Sequence, residues 1–280
     1  MNFGGIPQEY YALENSQVAM IPVPYDGTST WVKGADRGPE ALLDASANME
    51  LFDIETGAEV YKIGIHTCEP ITEKKSPDAM VAAVQAKCRE MISKDKFVVT
   101  LGGEHSISIG AIYAHQEKFD DLSILQLDAH TDLREEYEGS RNNHACVMAR
   151  ARENSPIVQV GIRSMSEDEV INTPKNVFFA HEMRKNSEWM QQAIDKLRDQ
   201  VYLTLDLDVF DPAYMPSTGT PEPGGMSYYE VLDFIKLLIQ EKKLIGFDVV
   251  ELCPNPDNKA SDFLAAKLVY QILAFKYFLK

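Results

Sequence analysis

Six mostly apolar residues, Leu122-Ser123-Ile124-Leu125-Gln126-Leu127, run directly into Asp128-Ala129-His130-Thr131-Asp132. The first six residues are typical of a buried strand, and the next five carry metal-binding side chains at every second position. In an extended backbone alternate side chains share a face, so Asp128, His130 and Asp132 would project together. A short loop would carry the same residue types without a common direction. The pentad alone therefore leaves both a metal site and an ordinary polar loop open.

The composition of the 280 residues is that of an ordinary soluble globular protein, with 45% apolar and 25% charged residues. A chain of this length can bury one large core. The N-terminus shows no secretory signal pattern, and no apolar run is long enough to span a bilayer. The four cysteines, at positions 68, 88, 146 and 253, form no CxxC pair. This favours free thiols and a cytoplasmic protein.

The formal net charge of the chain is −16. Most of the excess carboxylates are expected to form a solvated surface. Because no basic stripe could neutralise phosphates, the sequence argues against a nucleic acid or an anionic membrane as partner. A small cationic substrate, by contrast, would be attracted by such a field.

Candidate strands and helices alternate along the chain, which predicts an α/β fold with a mainly parallel sheet covered on both faces. The sequence shows no linker, internal repeat or low-complexity tract, which favours a single domain that spans residues 1–280. The predicted strands are 18–22, 59–64, 97–101, 121–127, 156–162, 177–179, 201–207 and 244–252. One predicted helix begins at Gly38. The others cover 76–93, 106–116, 142–152, 187–198, 227–241 and 260–279.

A second apolar strand also ends in acidic residues. In Val201-Tyr202-Leu203-Thr204-Leu205-Asp206-Leu207-Asp208 the two aspartates fall on one face and the leucines on the other. Because burying unpaired charge is costly, these carboxylates need either arginine partners or a metal ion.

A third contribution comes from Gly102-Gly103-Glu104-His105, at the end of the predicted strand 97–101. A lone histidine there would usually be a hydrogen-bonded structural residue. At the carboxyl end of a parallel strand, however, it lies where α/β folds place ligands.

Together the three stretches offer two imidazoles and four carboxylates, namely His105, Asp128, His130, Asp132, Asp206 and Asp208. One catalytic zinc ion usually takes three protein ligands and leaves a position open, so the set is too large for it. It suits two divalent ions about 3.5–4 Å apart that share bridging carboxylates. Oxygen-rich donors favour a hard ion such as manganese. The expectation is two Mn²⁺ ions per chain.

In series, these motifs resemble the metal-ligand signatures of the ureohydrolases, the arginase and agmatinase family. The three signatures are Gly102-Gly103-Glu104-His105-Ser106, Asp128-Ala129-His130-Thr131-Asp132 and Asp206-Leu207-Asp208-Val209-Phe210-Asp211-Pro212. The resemblance extends over nearly the whole chain, through Arg37-Gly38-Pro39-Glu40, Gln159-Val160-Gly161-Ile162-Arg163-Ser164, Gly219-Thr220-Pro221-Glu222-Pro223-Gly224-Gly225 and Asp248-Val249-Val250-Glu251-Leu252-Cys253-Pro254. It implies a three-layer α/β/α fold around an eight-stranded, mainly parallel sheet, a binuclear manganese centre and a homo-oligomer.

The resemblance also implies a set of ligands for each ion. One ion would be held by His105, Asp128, Asp132 and Asp206. The other would be held by His130, Asp128, Asp206 and Asp208, with Asp128 and Asp206 bridging. The implied reaction is hydrolysis of a guanidinium group to urea and an amine.

Three residues take catalytic roles in this reading. Asp132 is placed to accept a proton and to pass it to the leaving amine. Glu251 matches the family's guanidinium-binding carboxylate, which can take the planar cation in a fork, although alone it could equally pair with a buried arginine. His144 falls where the family has a histidine proposed to shuttle protons, and taken alone it is only a histidine in a polar loop.

The loop after the pentad bears on the substrate. Arg134 stands where arginases have an asparagine, and Arg141-Asn142-Asn143 replaces their serine-glycine-asparagine. The loop Arg134-Glu135-Glu136-Tyr137-Glu138-Gly139 instead resembles that of agmatinases, and its glutamates suit a distal ammonium group. The prediction is agmatine, cleaved to putrescine and urea. Ala145, where many members have glycine, leaves open a longer substrate such as aminopropylagmatine.

Other interpretations stay open at this stage. Arg134 and Arg141 could serve an acidic substrate, as in hydrolases of guanidinobutyrate, other guanidino acids or formiminoglutamate. A catalytically silent metal-binding regulator would keep the ligands without turnover. A single-zinc deacetylase of the related fold would use fewer of them.

Overall fold

The computed structural model describes residues 1–171 and 173–279. The strands are β1 (Val18–Val23), β2 (Phe52–Asp53), β3 (Ala58–Glu59), β4 (Ile65–Thr67), β5 (Phe97–Gly102), β6 (Leu122–Leu127), β7 (Ile157–Ile162), β8 (Val177–Phe179), β9 (Gln200–Asp206) and β10 (Lys243–Val250). The helices are α1 (Gln8–Tyr11), α2 (Gly38–Ser46), α3 (Pro77–Ser93), α4 (Ile107–Lys118), α5 (Val147–Ala151), α6 (Glu167–Val170), α7 (Ala180–Met183), α8 (Trp189–Ile194), α9 (Tyr228–Glu241) and α10 (Ala260–Phe278).

Eight of the strands form one sheet in the order β4-β1-β5-β10-β9-β6-β7-β8, and its paired strands run parallel. Its two faces are covered by separate apolar cores. Along β1, Val18 and Met20 enter one core while Ala19 and Ile21 enter the other, as the alternation of strand side chains requires. Helices α2, α8, α9 and α10 contribute to the first core, and α3, α4 and α5 to the second. The predicted three-layer α/β/α architecture is confirmed.

Most of the predicted elements are present, and their ends have local causes. The Ser76 hydroxyl accepts the Ala79 N–H at the start of α3, and Ser227 and Glu230 form a capping box before α9. The strand predicted at 59–64 is wrong. Val60–Ile63 is a 3₁₀ helix, Gly64 turns the chain with φ 82°, and the strand begins only at Ile65.

Other differences lie outside the sheet or at its margins. The short antiparallel pair β2–β3 was not predicted. The helix predicted at 142–152 is reduced to a 3₁₀ turn, His144–Cys146, followed by α5. None of the helices within 1–171 and 173–279 is long and apolar enough to cross a membrane. The four cysteines are free, as predicted.

The order of the central strands determines where a site can form. After β5 the chain passes through α4 to β6, and the two positions left between these strands are later filled by β10 and β9. The carboxyl ends of β5, β10, β9 and β6 therefore lie side by side at one edge of the sheet, where the strand order switches. The last residue of β9, Asp206, and the segments that follow these four strands carry every residue predicted to bind metal, together with Glu251.

Candidate metal centre

The pentad does not continue the strand that precedes it. Strand β6 ends at Leu127, and Asp132 adopts a left-handed backbone with φ 51°. Asp208 likewise lies beyond β9, in a 3₁₀ turn where the Asp206 carboxylate accepts the Asp208 N–H at 2.8 Å. The prediction that alternation in a strand aligns these side chains is therefore wrong in detail, because turns at the strand ends bring them together.

On the buried side of the cluster, one imidazole nitrogen faces three carboxylates. His105 Nδ1 lies 3.2 Å from Asp128 Oδ2, 3.0 Å from Asp132 Oδ2 and 3.3 Å from Asp206 Oδ2. The His105 side chain is only 2% exposed. Among the residues that the structure describes, this buried nitrogen has no hydrogen-bond partner, so the cluster offers an unused ligand atom surrounded by carboxylate oxygens.

On the outer side, His130 Nδ1 lies 2.9 Å from Asp208 Oδ2 and 3.6 Å from Asp128 Oδ1. The His130 side chain is 28% exposed. The Asp208 carboxylate also accepts the Ala129 N–H at 2.9 Å, which ties the turn after β9 to the pentad. Neighbouring Arg163 donates to the Asp208 backbone carbonyl rather than to its carboxylate.

The side chains present fit two metal ions. Two groups have ligand atoms within 4.8 Å of one another: His105 with Asp128 and Asp132, and Asp128 with His130 and Asp208. Asp128 belongs to both groups, as expected of a bridge. Asp206 contacts His105 but belongs to neither group. Of the two predicted bridging residues, only Asp128 therefore has the geometry of a bridge within these two groups. The possible ligand atoms are carboxylate oxygens and imidazole nitrogens, which suit a divalent ion of the manganese type.

Electrostatics favour added positive charge at this place. Burial, followed by the Asp128 carboxylate, raises the pKa of Asp132 to about 7. Burial, with Asp208 and Asp128, holds the pKa of Asp206 well above its usual range. Burial opposes a charged His130, yet Asp208 and Asp128 raise the pKa of His130 to about 12. Such shifts mean that the carboxylates outnumber the nearby cations, and protons or metal ions relieve the excess.

Glu251 follows β10 and borders the same cluster. Its backbone is left-handed, with φ 67°, and its Oε1 accepts the His105 N–H at 2.7 Å. Burial, followed by the Glu104 carboxylate, holds the pKa of Glu251 well above its usual range. The observed partner is a backbone N–H rather than an arginine.

His144 lies across the cavity in the turn before α5. Its Nδ1 is 3.1 Å from Thr28 Oγ1, and its backbone N–H donates to the same hydroxyl at 3.0 Å. Burial, together with the His105 and His130 charges, lowers the pKa of His144 to about 4. The imidazole is therefore neutral at neutral pH, and the Thr28 hydroxyl fixes its orientation.

A cavity of about 300 Å³ opens above these residues. The predicted site residues in its lining are His105, His130, Asp132, His144, Asp206, Asp208 and Glu251. Of the loop 134–139, only Arg134 and Tyr137 line it. Glu135 instead pairs with Arg150 and Arg152, because those side chains attract it away from the opening. The interpretation that the loop glutamates receive a distal ammonium group is not supported by this placement.

Several polar residues beneath the cluster were missed by the sequence reasoning. Gln126 donates to Asp128 Oδ2 at 2.7 Å, and Gln159 donates to Gln126 Oε1 at 2.5 Å. Thr204 and Asp248 join His105 through hydrogen bonds from β9 and β10. The available signal was a polar residue inside an otherwise apolar strand, since a buried polar group requires a partner.

Known proteins resemble this chain in sequence and in fold. The family model of the arginase family matches residues 16–274. An N(1)-aminopropylagmatine ureohydrolase of Synechocystis sp. is 41% identical over 273 residues, covering 93% of this chain and 89% of the relative. An agmatinase of Pyrococcus horikoshii is 31% identical, covering 93% and 92%. The crystal structure of agmatine ureohydrolase of Thermoplasma volcanium superposes with a TM-score of 0.88 at 31% identity, covering 99% of this chain and 95% of that one.

The chain belongs to the arginase family of ureohydrolases. It is accordingly an enzyme, an agmatinase-like hydrolase of C–N bonds in linear amidines. The family resemblance read from the three motifs is confirmed.

Proposed function

We propose that the chain, acting as a single catalytic domain, hydrolyses the guanidinium group of an agmatine-type cation to urea and an amine at two manganese ions. The observation that carries this proposal is the pair of overlapping ligand groups that share Asp128 beside a half-buried glutamate, Glu251. One ion would be held by His105, Asp128, Asp132 and Asp206. The other would be held by His130, Asp128, Asp206 and Asp208.

The chemistry of a guanidinium group explains why such a centre is needed. Its carbon is a poor electrophile because the positive charge is delocalised over three nitrogens. Two bound divalent ions supply a strong nucleophile near neutral pH by lowering the pKa of water.

The protein side chains supply binding and proton transfer. Glu251 Oε1 is occupied by the His105 N–H, and Oε2 is left on the side of Gly219, in the cavity wall. We assign that carboxylate to the planar cation. Asp132 would accept a proton and pass it to the leaving amine, and neutral His144 would accept or return one from the opposite wall.

The residues that line the cavity limit the choice of substrate. Trp31 and Tyr137 line the cavity, and aromatic side chains suit an alkyl chain that carries an ammonium group. Because the loop glutamates lie outside the cavity lining, they do not favour agmatine over a longer amine. The relative named for the aminopropyl derivative shares more identity with this chain than the agmatinase does. We therefore place N(1)-aminopropylagmatine beside agmatine as candidate substrate.

The test is urea release by the manganese-loaded protein from four compounds: agmatine, N(1)-aminopropylagmatine, guanidinobutyrate and arginine. We expect turnover of the first two, loss of that turnover in chelator, and its return with added manganese. Faster turnover of guanidinobutyrate or arginine would overturn the substrate class. In that case an Arg134→Gln variant shows whether Arg134, whose guanidinium stacks 4.5 Å above the Tyr137 ring, binds the carboxylate.

A further inference from the structure

The carboxylates that line the cavity above the metal centre are all occupied. Glu251 is assigned to the guanidinium group and the aspartates to the metal ions. Glu169 is the remaining carboxylate of the lining. The Thr131 hydroxyl and the Leu133 N–H donate to its Oε1, and the N–H and the hydroxyl of Ser166 donate to its Oε2. Among the residues that the structure describes, this lining leaves no carboxylate for the distal ammonium group of an agmatine-type cation.

The wall beside Tyr137 carries a positive charge instead. The Arg134 guanidinium lies 4.5 Å above the Tyr137 ring and covers one of its faces. Its Nε is 3.9 Å from Glu169 Oε2. A second ammonium group at this wall would meet a like charge, which is unfavourable. The alkyl chain of the substrate should therefore turn toward the opposite wall.

A second cavity of about 700 Å³ adjoins the first on that side. The residues that line both cavities are Trp31, Val32, His130, Gly219 and Thr220. Trp31 is 79% exposed, so its side chain is available to an alkyl chain that carries an ammonium group. An amine that begins at the metal centre and is longer than agmatine can thus continue past Trp31 into the second cavity.

The carboxylate of the second cavity is Glu222. Two cations line the same cavity, but they have other neighbours. Lys33 pairs with Asp26 at 3.2 Å. Arg37 packs against Gly34, where a Cβ atom would lie 2.5 Å from the terminal nitrogen of the arginine. Within the part of the chain that the structure describes, no lysine or arginine forms an ion pair with Glu222.

The backbone fixes the position of Glu222. Its carbonyl accepts hydrogen bonds from Nε and a terminal nitrogen of Arg163, at 3.3 and 2.8 Å. Its Oε1 lies 3.9 Å from His130 Nε2, beyond hydrogen-bonding distance. The side chain is 36% exposed. Glu222 is therefore an anchored residue whose carboxylate is free to bind a cation beside the metal centre.

We propose that the second cavity holds the aminopropyl arm of N(1)-aminopropylagmatine, with Glu222 receiving the terminal ammonium group and Trp31 packing against the alkyl chain. This proposal rests on the proposed function. It makes Glu222 and Trp31 specificity-determining residues for the longer amine over agmatine. An exposed carboxylate and an exposed aromatic ring each contribute modestly to binding a cation, so the preference from each is several-fold.

The experiment measures kcat/KM for both amines in matched variants. We expect Glu222→Gln to lower kcat/KM for N(1)-aminopropylagmatine about fivefold and to leave that for agmatine within about twofold of the wild type. Trp31→Ala is expected to act in the same direction by about threefold, whereas Trp31→Phe keeps an aromatic ring and most of the preference. The control is Glu136→Gln, which removes an exposed carboxylate outside both linings and should keep the wild-type ratio.

Equal losses on the two amines in Glu222→Gln would overturn the proposal, because they would indicate an effect on the metal centre through His130. Wild-type kcat/KM for the longer amine in this variant would also overturn it. So would a wild-type protein that cleaves agmatine but not N(1)-aminopropylagmatine.

Binding of the product amines separates this proposal from the proposed function, because it needs no turnover. The manganese-loaded protein is titrated in a calorimeter with putrescine and with spermidine, the product that retains the aminopropyl arm. We expect tighter binding of spermidine by the wild type and loss of that difference in Glu222→Gln. A protein that releases no urea but shows this pattern contradicts the proposed function and supports the second cavity as an amine site. Equal binding of the two amines by the wild type would overturn the assignment of the cavity.

Discussion

His105 precedes α4 and His115 lies within its last turn. Both side chains are buried, yet their surroundings differ. His105 faces three carboxylates, which hold its pKa well above the usual range although burial opposes the charge. His115 donates from Nδ1 to the Ala111 carbonyl at 2.8 Å and packs on the Tyr202 ring at 4.5 Å. Burial lowers the pKa of His115 to about 4. A histidine that is only buried, such as His115, is neutral and structural, whereas one that also faces several carboxylates, such as His105, is a candidate metal ligand.

The two regions meet at Tyr202. Its ring packs against His115, while its hydroxyl donates to Asp248 in the hydrogen-bond chain that reaches His105. The hydrogen-bonded residues near the carboxyl ends of the strands, which we call the upper layer, thus pack on a lower, apolar layer that contains the rings of Tyr202 and His115. Substitutions in the upper layer are expected to change metal binding and turnover, and those in the lower layer to change stability.

The largest effect is expected from Asp128→Asn, since Asp128 belongs to both ligand groups. Losing the ions removes several kcal/mol of transition-state stabilisation. We expect urea release to fall on the order of a thousandfold. Manganese at about 100 times its Kd would stabilise the wild type by about 2.7 kcal/mol per site. The resulting rise in melting temperature would disappear in the variant.

The matched control is Asp233→Asn, which removes an exposed carboxylate of α9. It is expected to keep both activity and the manganese effect. Substantial turnover by Asp128→Asn would show that the two ligand groups do not act as one centre.

The sequence predicted the architecture well where two signals coincided. Strands such as β6 and β9 are apolar and bounded by charged residues, and helices such as α3 and α9 begin with a capping serine. Prediction failed at 59–64, where a short run that mixes apolar and charged residues cannot distinguish a strand from a 3₁₀ turn. The left-handed glycine at position 64 decides that outcome.

The sequence predicted which residues form the site better than it predicted how they are arranged. Three motifs located the carboxylates and imidazoles, because those side chains are costly to bury without a function. The left-handed turn at Asp132 and the pairing of Glu135 with Arg150 depend on contacts distant in sequence. No local pattern contains them, and this is also why Thr204 and Asp248 had no assigned role.

A smaller effect distinguishes the two sides of the metal centre. His105→Gly and His130→Gly both remove a ligand, and we expect each to lower manganese affinity at least about tenfold. The His130 side chain is 28% exposed and the His105 side chain 2%. Added imidazole should therefore restore urea release in His130→Gly and not in His105→Gly. Imidazole on the wild type is the control, and equal rescue of both variants would contradict the asymmetry.

The last effect concerns the acid stability that depends on His115, and it is expected to have the smallest influence on turnover. Its folded pKa of about 4 lies below the unfolded value near 6.5, so the unfolded chain binds more protons between these pH values. Stability is therefore lost as the pH falls from 6.5 toward 4, by up to about 3 kcal/mol from this residue. We expect His115→Phe, which keeps an aromatic ring against Tyr202, to show a shallower pH dependence of unfolding by urea denaturation.

His181→Phe is the matched control, because the His181 side chain is 70% exposed. It should retain the wild-type pH dependence, whereas His115→Phe should retain urea release at neutral pH. If His115→Phe lost manganese binding instead, the apolar layer beneath Tyr202 would belong to the metal centre. The contrast between a structural and a ligand histidine would then fail, because both would act on the same ions.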